Sequence, residues 1–406
     1  MNRFILLTLI LSTMYACKNE QTHTAEAAKA EPVNTSTKSD SYQEEHRPQF
    51  HFSPAANWMN DPNGMVFFEG EYHLFYQYYP DSTVWGPMHW GHAVSSDIVT
   101  WDHLPIALYP DELGYIFSGS AVIDWKNTSG FGKNGQPPMI AIFTYHEPEG
   151  ANKGTKTFQY QSIAYSNDKG RTWTKYAGNP VVPNPGIKDF RDPKVIWDDD
   201  SDQWVMVFAA GDHVKFYGSP NLKDWTHLSD FGKEWGTHAG VWECPDLFPL
   251  PVDGTDEVKW VHLVSINPGG PNGGSATQYF IGDFDGTTFT MDKSFETELN
   301  VNHDFWVDFG KDNYAGVTFS NVSSKKGGKS FMGWMSNWEY ANVVPTETWR
   351  SAMTVARQIE LQKVNSSYRL LFQPVKELTN YRSTKFKKES IAINGDTKII
   401  DSKAID

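Results

Sequence analysis

The residues Val66-Phe67-Phe68-Glu69-Gly70-Glu71-Tyr72-His73-Leu74-Phe75-Tyr76 predict a β-hairpin, because two runs of aromatic and β-branched residues flank a short acidic turn with one glycine. The same order of strand, polar turn and strand returns at 194–208 and at 247–264. No long stretch shows the apolar period of a helix. The sequence therefore predicts an all-β fold.

A second motif recurs in the predicted outer turns. It is a polar turn before a strand with a buried aromatic residue, and it occurs at 96–101, 166–173, 219–225 and, in degenerate form, 283–289. Copies separated by about 50–70 residues in an all-β chain are typical of β-propellers. We predict a five-bladed β-propeller over residues 46–362. The first strand of each blade should line a funnel at the axis, where we expect a binding pocket.

Composition excludes several classes of protein. The 406 residues include 49 acidic and 35 basic side chains, for a net charge of −14, which argues against a nucleic-acid partner. Aromatic residues make up 15% of the chain, too many for a disordered protein. After the N-terminus there is no apolar run long enough to span a bilayer. Cys17 and Cys244 provide neither a disulfide framework nor a cysteine-based zinc site.

The two ends of the chain differ from its middle. Residues 1–17 resemble an export signal, with Arg3, an apolar core and Ala16 directly before Cys17. This order predicts a bacterial lipoprotein with a lipid on Cys17, anchored in a membrane; simple secretion is the alternative. Residues 18–45 predict a flexible tether. Residues 363–383 are interpreted as a linker, and 384–406 as the beginning of a truncated C-terminal β-sandwich.

Three acids, each close to a proline, occupy matching places near predicted innermost strands. They are Asp61 in W-M-N-D-P-N-G, Asp192 in F-R-D-P and Glu243 in W-E-C-P-D. Each string by itself is also compatible with an ordinary turn. Three carboxyl groups in one funnel repel each other unless one is protonated, and glycoside hydrolysis uses such a pair of carboxylate and carboxylic acid.

Seven strings also resemble glycoside hydrolase family 32, which contains invertases, levanases and inulinases, and they occur in the family's order. They are W-M-N-D-P-N-G (58–64), Y-Q-Y-Y-P (76–80), W-G-P-M-H-W-G-H (85–92), F-S-G-S (117–120), R-D-P-K-V (191–195), E-C-P-D-L-F (243–248) and G-W-M-S-N-W (333–338). The resemblance runs from about residue 46 to 378, and the early part looks most like bacterial levanases. It implies a five-bladed propeller followed by a β-sandwich.

The resemblance also implies roles for individual residues. Asp61 would attack C2 of a fructosyl unit, and Glu243 would be the acid/base, with a pKa above that of an ordinary glutamate. Asp192 would bind fructose hydroxyls without forming a bond, and Arg191 would orient carboxylates. Fructans such as levan and inulin, and sucrose, would be the substrates, cleaved with retention of configuration.

The resemblance further implies a set of substrate-binding residues. The floor of the pocket would be formed by Asn60, Gln77, Phe117 and Ser118, and its aromatic walls by Trp85 and Trp334. For the aromatic residues, ordinary packing between blades is the competing interpretation. Cys244 is interpreted as a small buried packing residue, because no partner base is evident.

Other readings of the sequence remain. One is a five-bladed glycosidase that acts on arabinan or xylan, and another is a surface lipoprotein that binds glycan without cleaving it. We predict no metal and no cofactor. The acidic run 198–202 lacks the glycine and glutamate of a calcium loop, since Gln203 and Ala209 stand in those places.

Overall fold

The computed structural model describes residues 42–302, 305–322 and 328–383, and most of the regular structure in them is β-strand. The first blade contains β1 (Asn57–Phe68), β2 (Glu71–Tyr79), β3 (His89–Ser95) and β4 (Asp102–Leu108). The second contains β5 (Tyr115–Ile123), β6 (Met139–His146), β7 (Gln159–Ser166) and β8 (Thr174–Lys175). The third contains β9 (Phe190–Asp198), β10 (Gln203–Ala210), β11 (Val214–Ser219) and β12 (Thr226–Phe231).

The fourth blade contains β13 (Val241–Pro251), β14 (Val258–Asn267), β15 (Ala276–Phe284) and β16 (Phe289–Met291). The fifth contains β17 (Tyr314–Thr318), β18 (Lys329–Trp334), β20 (Arg357–Val364) and β21 (Ser367–Pro374), while β19 (Trp349–Arg350) pairs with the first blade. Two short α-helices, α1 (Pro148–Asn152) and α2 (Lys293–Asn302), and two 3₁₀ turns, Ala341–Val343 and Lys376–Tyr381, complete the described elements. None of the helices in the described ranges is long and apolar enough to cross a membrane.

The five sheets form a closed ring, as the sequence predicted. Within each blade the four strands are antiparallel neighbours in chain order, and in the fifth blade β18 pairs with β20 because β19 belongs to the first sheet. The innermost strands β1, β5, β9, β13 and β17 contact one another in that order, and β17 contacts β1. The parallel pairing of β19 with β1 joins the last part of the propeller to the first. The fold is therefore a five-bladed β-propeller.

The recurrent polar turns join the third and fourth strands of the first four blades. In the first blade, Asp97 Oδ1 accepts hydrogen bonds from the backbone N–H groups of Val99 (2.9 Å) and Thr100 (2.8 Å). The corresponding acceptors in the next three blades are Asp168, Asn221 and Asp285. All four copies are therefore true blade turns. The tryptophans that follow the first three are half-buried and not fully buried.

The structure corrects two predicted boundaries. Strand β20 crosses residue 362 and β21 continues to Pro374, so the fifth blade includes part of the predicted linker 363–383. At the other end, Tyr42 and Glu44 lie in the predicted tether, yet both contact Arg47, which is buried and stacks on Trp349 (4.1 Å). The signal segment with Cys17, the tether through residue 41 and the predicted β-sandwich at 384–406 lie outside the described residues.

Candidate active site

Each innermost strand contains an extra residue near its start, relative to the strand beside it, and β1 contains a second one between Asn63 and Val66. In β1, Met59 and Pro62 face Tyr78 and Tyr76, so three steps along β1 match two along β2. The same shift occurs at 116–119 in β5, 191–194 in β9, 243–246 in β13 and 314–317 in β17. Such β-bulges interrupt pairing and redirect side chains. All three predicted acids lie within or at the edge of a bulge.

Asp61 is held by two hydrogen-bond donors. Asn60 Nδ2 donates to its Oδ1 (2.9 Å), and Ser118 Oγ donates to its Oδ2 (2.7 Å). Asn60 is fixed in turn, because Nε1 of the fully buried Trp58 donates to its Oδ1 (2.8 Å). The carboxylate is therefore presented to the cavity in one orientation.

Asn63 and Gly64, the last two residues of the W-M-N-D-P-N-G string, support this arrangement of Asp61 and Ser118. With its amide oxygen turned toward Gln77, the buried Asn63 accepts from Gln77 N (3.0 Å) and Nε2 (2.9 Å) and donates to Ser118 Oγ (3.2 Å). Gly64 has a φ of +52°, and a Cβ there would lie 2.6 Å from a ring carbon of Phe75. Both the backbone conformation and the close approach require glycine.

Asp192 occupies a strained position in its bulge, with a φ of +65°. Its N–H donates to Thr144 Oγ1 (3.0 Å), and its Oδ2 accepts from the N–H of Cys244 (3.0 Å). Burial raises the pKa of Asp192 to about 7, and the other two carboxyl groups act in the same direction against the opposing charge of Arg191. The surroundings of Asp192 therefore favour its protonated form more than those of an ordinary aspartate do.

Glu243 has a different donor at each carboxyl oxygen. Arg191 Nη2 donates to Oε1 (2.8 Å), and the hydroxyl of Tyr314 donates to Oε2. Burial raises the pKa of Glu243, although the charge of Arg191 opposes this shift. The direction agrees with the expectation for an acid/base residue.

Arg191 is fixed on the side away from Glu243. Its Nη1 donates to Asp189 Oδ1 (2.7 Å) and to Gln159 Oε1 (3.4 Å), and its Nε lies 3.8 Å from Asp192 Oδ2. One guanidinium thus stands among three carboxyl groups. It lowers the repulsion between the acids and sets the direction of Glu243.

These residues line one cavity of about 440 Å³. Nine of the ten predicted catalytic and substrate-binding residues lie on its wall: Asn60, Asp61, Gln77, Trp85, Phe117, Ser118, Arg191, Asp192 and Glu243. A cavity of this size is within the range of small-molecule sites. The residues come from four of the five blades, so the fold brings distant parts of the chain together.

The chain is similar to several known proteins over most of its length. The sequence pattern of the glycosyl hydrolases family 32 N-terminal domain matches residues 51–374. The levanase of Bacillus subtilis is 56% identical over 354 residues, which cover 87% of this chain and 50% of that protein. The invertase of Schizosaccharomyces pombe is 45% identical over 333 residues, covering 80% and 54%.

The chain belongs to glycosyl hydrolase family 32. The crystal structure of exo-inulinase from Aspergillus awamori superposes with a TM-score of 0.74 at 42% identity, over 82% of this chain and 68% of that one. The matched part of the present chain covers about half the length of the Bacillus levanase and of the Schizosaccharomyces pombe invertase.

Trp334, the tenth predicted residue, does not lie on the cavity wall. It is fully buried and packs against Trp58, Tyr314 and Trp338, with ring centroids 5.0 Å apart in the last pair. The second tryptophan of G-W-M-S-N-W, Trp338, lines the cavity instead. Trp334 stands on β18, one strand away from the axis, and therefore supports the wall from behind.

The cavity also contains residues that the sequence analysis did not single out: His146, Ala151, Phe158, Gln159, Asp189, Trp338 and Asn342. Asn342 has a visible task, since its Oδ1 accepts from the N–H of Trp85 (3.0 Å) and ties two rim loops together. Asp189 could have been found because it stands two residues before Arg191. Trp338 belongs to the string G-W-M-S-N-W, and the remaining residues come from segments without a distinctive pattern.

Cys244 is buried, as predicted, but packing does not describe all of its surroundings. Its Sγ lies 3.6 Å from Asp61 Oδ2 and 3.7 Å from Asp192 Oδ2. Burial raises the pKa of the thiol well above its usual value, and the nearby carboxyl groups add to this. Cys244 therefore stays a thiol and separates the two acids as a weak donor.

Proposed function

We propose that this chain is the catalytic part of a retaining β-fructofuranosidase, which cleaves β-fructofuranosyl linkages in fructans such as levan and inulin, with sucrose as a further substrate. The observation that carries the proposal is the pairing, in one cavity, of a donor-held carboxylate, Asp61, with a carboxyl of raised pKa, Glu243. The names of the relatives, levanase, invertase and exo-inulinase, support the choice of fructosyl substrates.

In the first step, an oxygen of Asp61 forms a bond to C2 of the fructosyl unit while the bond from C2 to the leaving oxygen breaks. Glu243 gives its proton to that oxygen, so the departing group leaves as a neutral alcohol. The product is a covalent fructosyl ester on Asp61. The hydrogen bonds from Asn60 and Ser118 keep the carboxylate aimed at the cavity before the attack.

In the second step, Glu243 acts as the base. Its carboxylate takes a proton from water, the water oxygen bonds to C2, and the ester bond to Asp61 breaks. Asp192 binds hydroxyls of the fructosyl ring, and those hydrogen bonds strengthen as positive charge develops on the ring. Only the two steps together restore the enzyme: the first leaves Glu243 deprotonated and Asp61 as an ester, and the second returns the proton to Glu243 and frees the carboxylate of Asp61.

The walls fit a furanose. Phe117 and the partly exposed Trp85 meet edge to face at 6.1 Å, and they offer apolar surface to the C–H groups of the sugar. Gln77 and Asn60 provide amide groups at the floor. A few polar groups among aromatic rings are the usual composition of a sugar-sized pocket.

Incubation with levan, inulin, sucrose, arabinan and xylan tests the substrate class. We expect fructose from the first three, and no release from an Asp61→Asn variant. Arabinose or xylose as the product would establish the alternative glycosidase. Binding of these glycans without any cleavage would establish the non-catalytic reading.

The configuration of the first product tests the mechanism. Two displacements at C2 give net retention, which requires the carboxyl groups of Asp61 and Glu243 about 5–5.5 Å apart. NMR at the earliest time points on sucrose should therefore show β-fructofuranose before mutarotation. Initial α-fructofuranose would mean a single displacement by water, with Asp61 as a base.

We also propose that the protein is exported and carries a lipid on Cys17. The support is the short apolar core that ends in Ala16-Cys17. An anchored enzyme would meet polymeric fructan outside the cell, where relatives named extracellular exo-inulinase act.

A further inference from the structure

The two carboxyl oxygens of Glu243 have chemically different partners. Oε1 accepts from Arg191, whose guanidinium can donate but never accept a hydrogen bond. Oε2 faces the hydroxyl of Tyr314, which can donate to a carboxylate and also accept from a carboxylic acid. A proton on Oε1 would point at the N–H groups of Arg191, which cannot accept it. A proton on Oε2 can instead be donated to the oxygen of the Tyr314 hydroxyl.

The position of Tyr314 is well determined by its surroundings. Its side chain is 1% exposed, and it begins β17, the innermost strand of the fifth blade. The bulge starts at the next residue, Ala315, whose φ is +53°. The ring packs edge-on against Trp334 with centroids 6.3 Å apart. The hydroxyl is therefore held at Glu243 by backbone pairing and by packing together.

We propose that Tyr314 is a positioning residue that makes Oε2 the oxygen of Glu243 from which the proton is transferred and to which it returns. This rests on the proposed function, because it assigns the acid/base work of Glu243 to one atom. None of the seven sequence strings contains Tyr314.

The proposed cycle balances at that atom. The donation from the Tyr314 hydroxyl to Oε2 belongs to the carboxylate form of Glu243; when Glu243 is protonated before the attack, the direction reverses and the proton on Oε2 is donated to the Tyr314 oxygen. When substrate is bound, the proton points at the leaving oxygen and passes to it as the C2–O bond breaks, and Tyr314 turns its own O–H toward the new carboxylate. In the second step Oε2 takes a proton from the attacking water, and the hydroxyl turns back.

The charged and titratable groups that face Glu243 come from several strands and stay in place when the tyrosine hydroxyl is removed. They are Arg191, Asp189, Asp192, Asp61 and Cys244. A change in the titration of Glu243 on removal of the hydroxyl is thus assignable to Tyr314.

The test is the Tyr314→Phe variant, which keeps the ring and removes the hydroxyl. A hydrogen bond to the charged carboxylate is stronger than one from the neutral acid, so its loss should raise the pKa of Glu243 by about one unit. Carbon-13 NMR titration of glutamate-labelled protein measures this without substrate, and a Glu243→Gln spectrum assigns the signal.

Tyr145→Phe is the matched control. Tyr145 is equally buried, and its hydroxyl donates to a carboxylate, Asp111 Oδ2 (2.6 Å), away from the cavity. This variant should leave the titration of Glu243 unchanged. Near-UV circular dichroism of both variants checks that the packing is kept.

Kinetics provide the second readout. In Tyr314→Phe the basic limb of the kcat/KM profile on sucrose should move to higher pH by the same amount, with a lower kcat at neutral pH and little change in KM. An unchanged pKa of Glu243 would overturn the proposal, and so would a raised KM with normal kcat. If Tyr314→Phe shifts the NMR titration of Glu243 but the wild-type protein hydrolyses no fructan, the proposed function is overturned and the effect of Tyr314 on Glu243 still stands.

Discussion

Replacement of Gly64 by alanine, in the second register shift of β1 (Asn63 to Val66), is a sharp test of how this strand holds Asp61. The new Cβ would lie 2.6 Å from Phe75 Cδ2 and 2.9 Å from Trp90 Cζ3, and both rings are fully buried. Neither ring has free space to move into, because Phe75 also packs on His92 with centroids 4.0 Å apart. Strand β1 or its neighbour must therefore shift.

The expected cost has two parts. A positive φ costs an L-residue about 1–2 kcal/mol, and overpacking of a close-packed core costs about 1–3 kcal/mol. Gly64→Ala should thus lower the free energy of unfolding by about 2–5 kcal/mol. Gly70→Ala is the matched control, since Gly70 has a φ of +88° in the next turn of the same hairpin but nothing within 4 Å of the added Cβ.

Differential scanning calorimetry of the wild type, Gly64→Ala and Gly70→Ala separates the cost of the positive φ, which both variants have, from the cost of overpacking, which only Gly64→Ala has. The difference between the variants should be about 1–3 kcal/mol, or roughly 1–4 °C in Tm for a propeller of this size. Hydrolysis of sucrose by Gly64→Ala should also fall at least ~10-fold in kcat/KM, because Asn63 next to it orients Ser118 and so Asp61. Equal melting temperatures and activities in the two variants would refute the role assigned to the contact with Phe75.

Further expectations concern the catalytic groups, the anchor and the core. Asp61→Asn should lower kcat by several orders of magnitude without changing the Tm, and a tenth of the wild-type kcat would contradict its role as nucleophile. Glu243→Ala should lose the basic limb of the pH–rate profile, so persistence of that limb at the same pH would assign the acid elsewhere. Cys17→Ser should lose retention in the membrane fraction, and equal retention would argue against the lipid. His73 is buried beside His92 (Nδ1···Nε2 3.1 Å), and burial lowers the pKa of His73 to about 4. Since the unfolded chain takes up this proton near pH 6.5, stability should be lost as the pH falls from about 6.5 toward 4. The measured Tm should decline over that range, and less steeply in His73→Phe.

The fold was predictable because the chain repeats itself. Four copies of one turn mark four of the five blades, and in each copy an Asn or Asp side chain accepts hydrogen bonds from backbone N–H groups. The fifth blade ends in a tight hairpin between Val364 and Ser367 without this turn. That absence explains why the end of the propeller was predicted at 362, before β21.

The places of the three predicted acids in the fold have a physical reason that the structure makes explicit. A proline cannot donate to a sheet ladder, so Asp-Pro and Cys-Pro in an innermost strand mark the place where pairing is interrupted. In β1, β9 and β13 the interruption is the bulge that turns a carboxyl group into the cavity. The prolines were thus a direct sign of the bulges, and not only the shared feature that placed the three acids in matching positions.

Tyr314 and Trp338 were missed because their positions depend on geometry that no local pattern encodes. In the fifth blade the bulge contains Ala315 and Gly316 and no proline, so nothing in the sequence marks Tyr314 as a residue at the axis. The string G-W-M-S-N-W contains two tryptophans, and the residue type alone does not show which of them lies in the sheet. The structure does, because β18 ends at Trp334. Trp338, beyond that end, is free to turn toward the cavity. The walls of this site are therefore set by where strands stop, whereas its acids are set by where strands bulge.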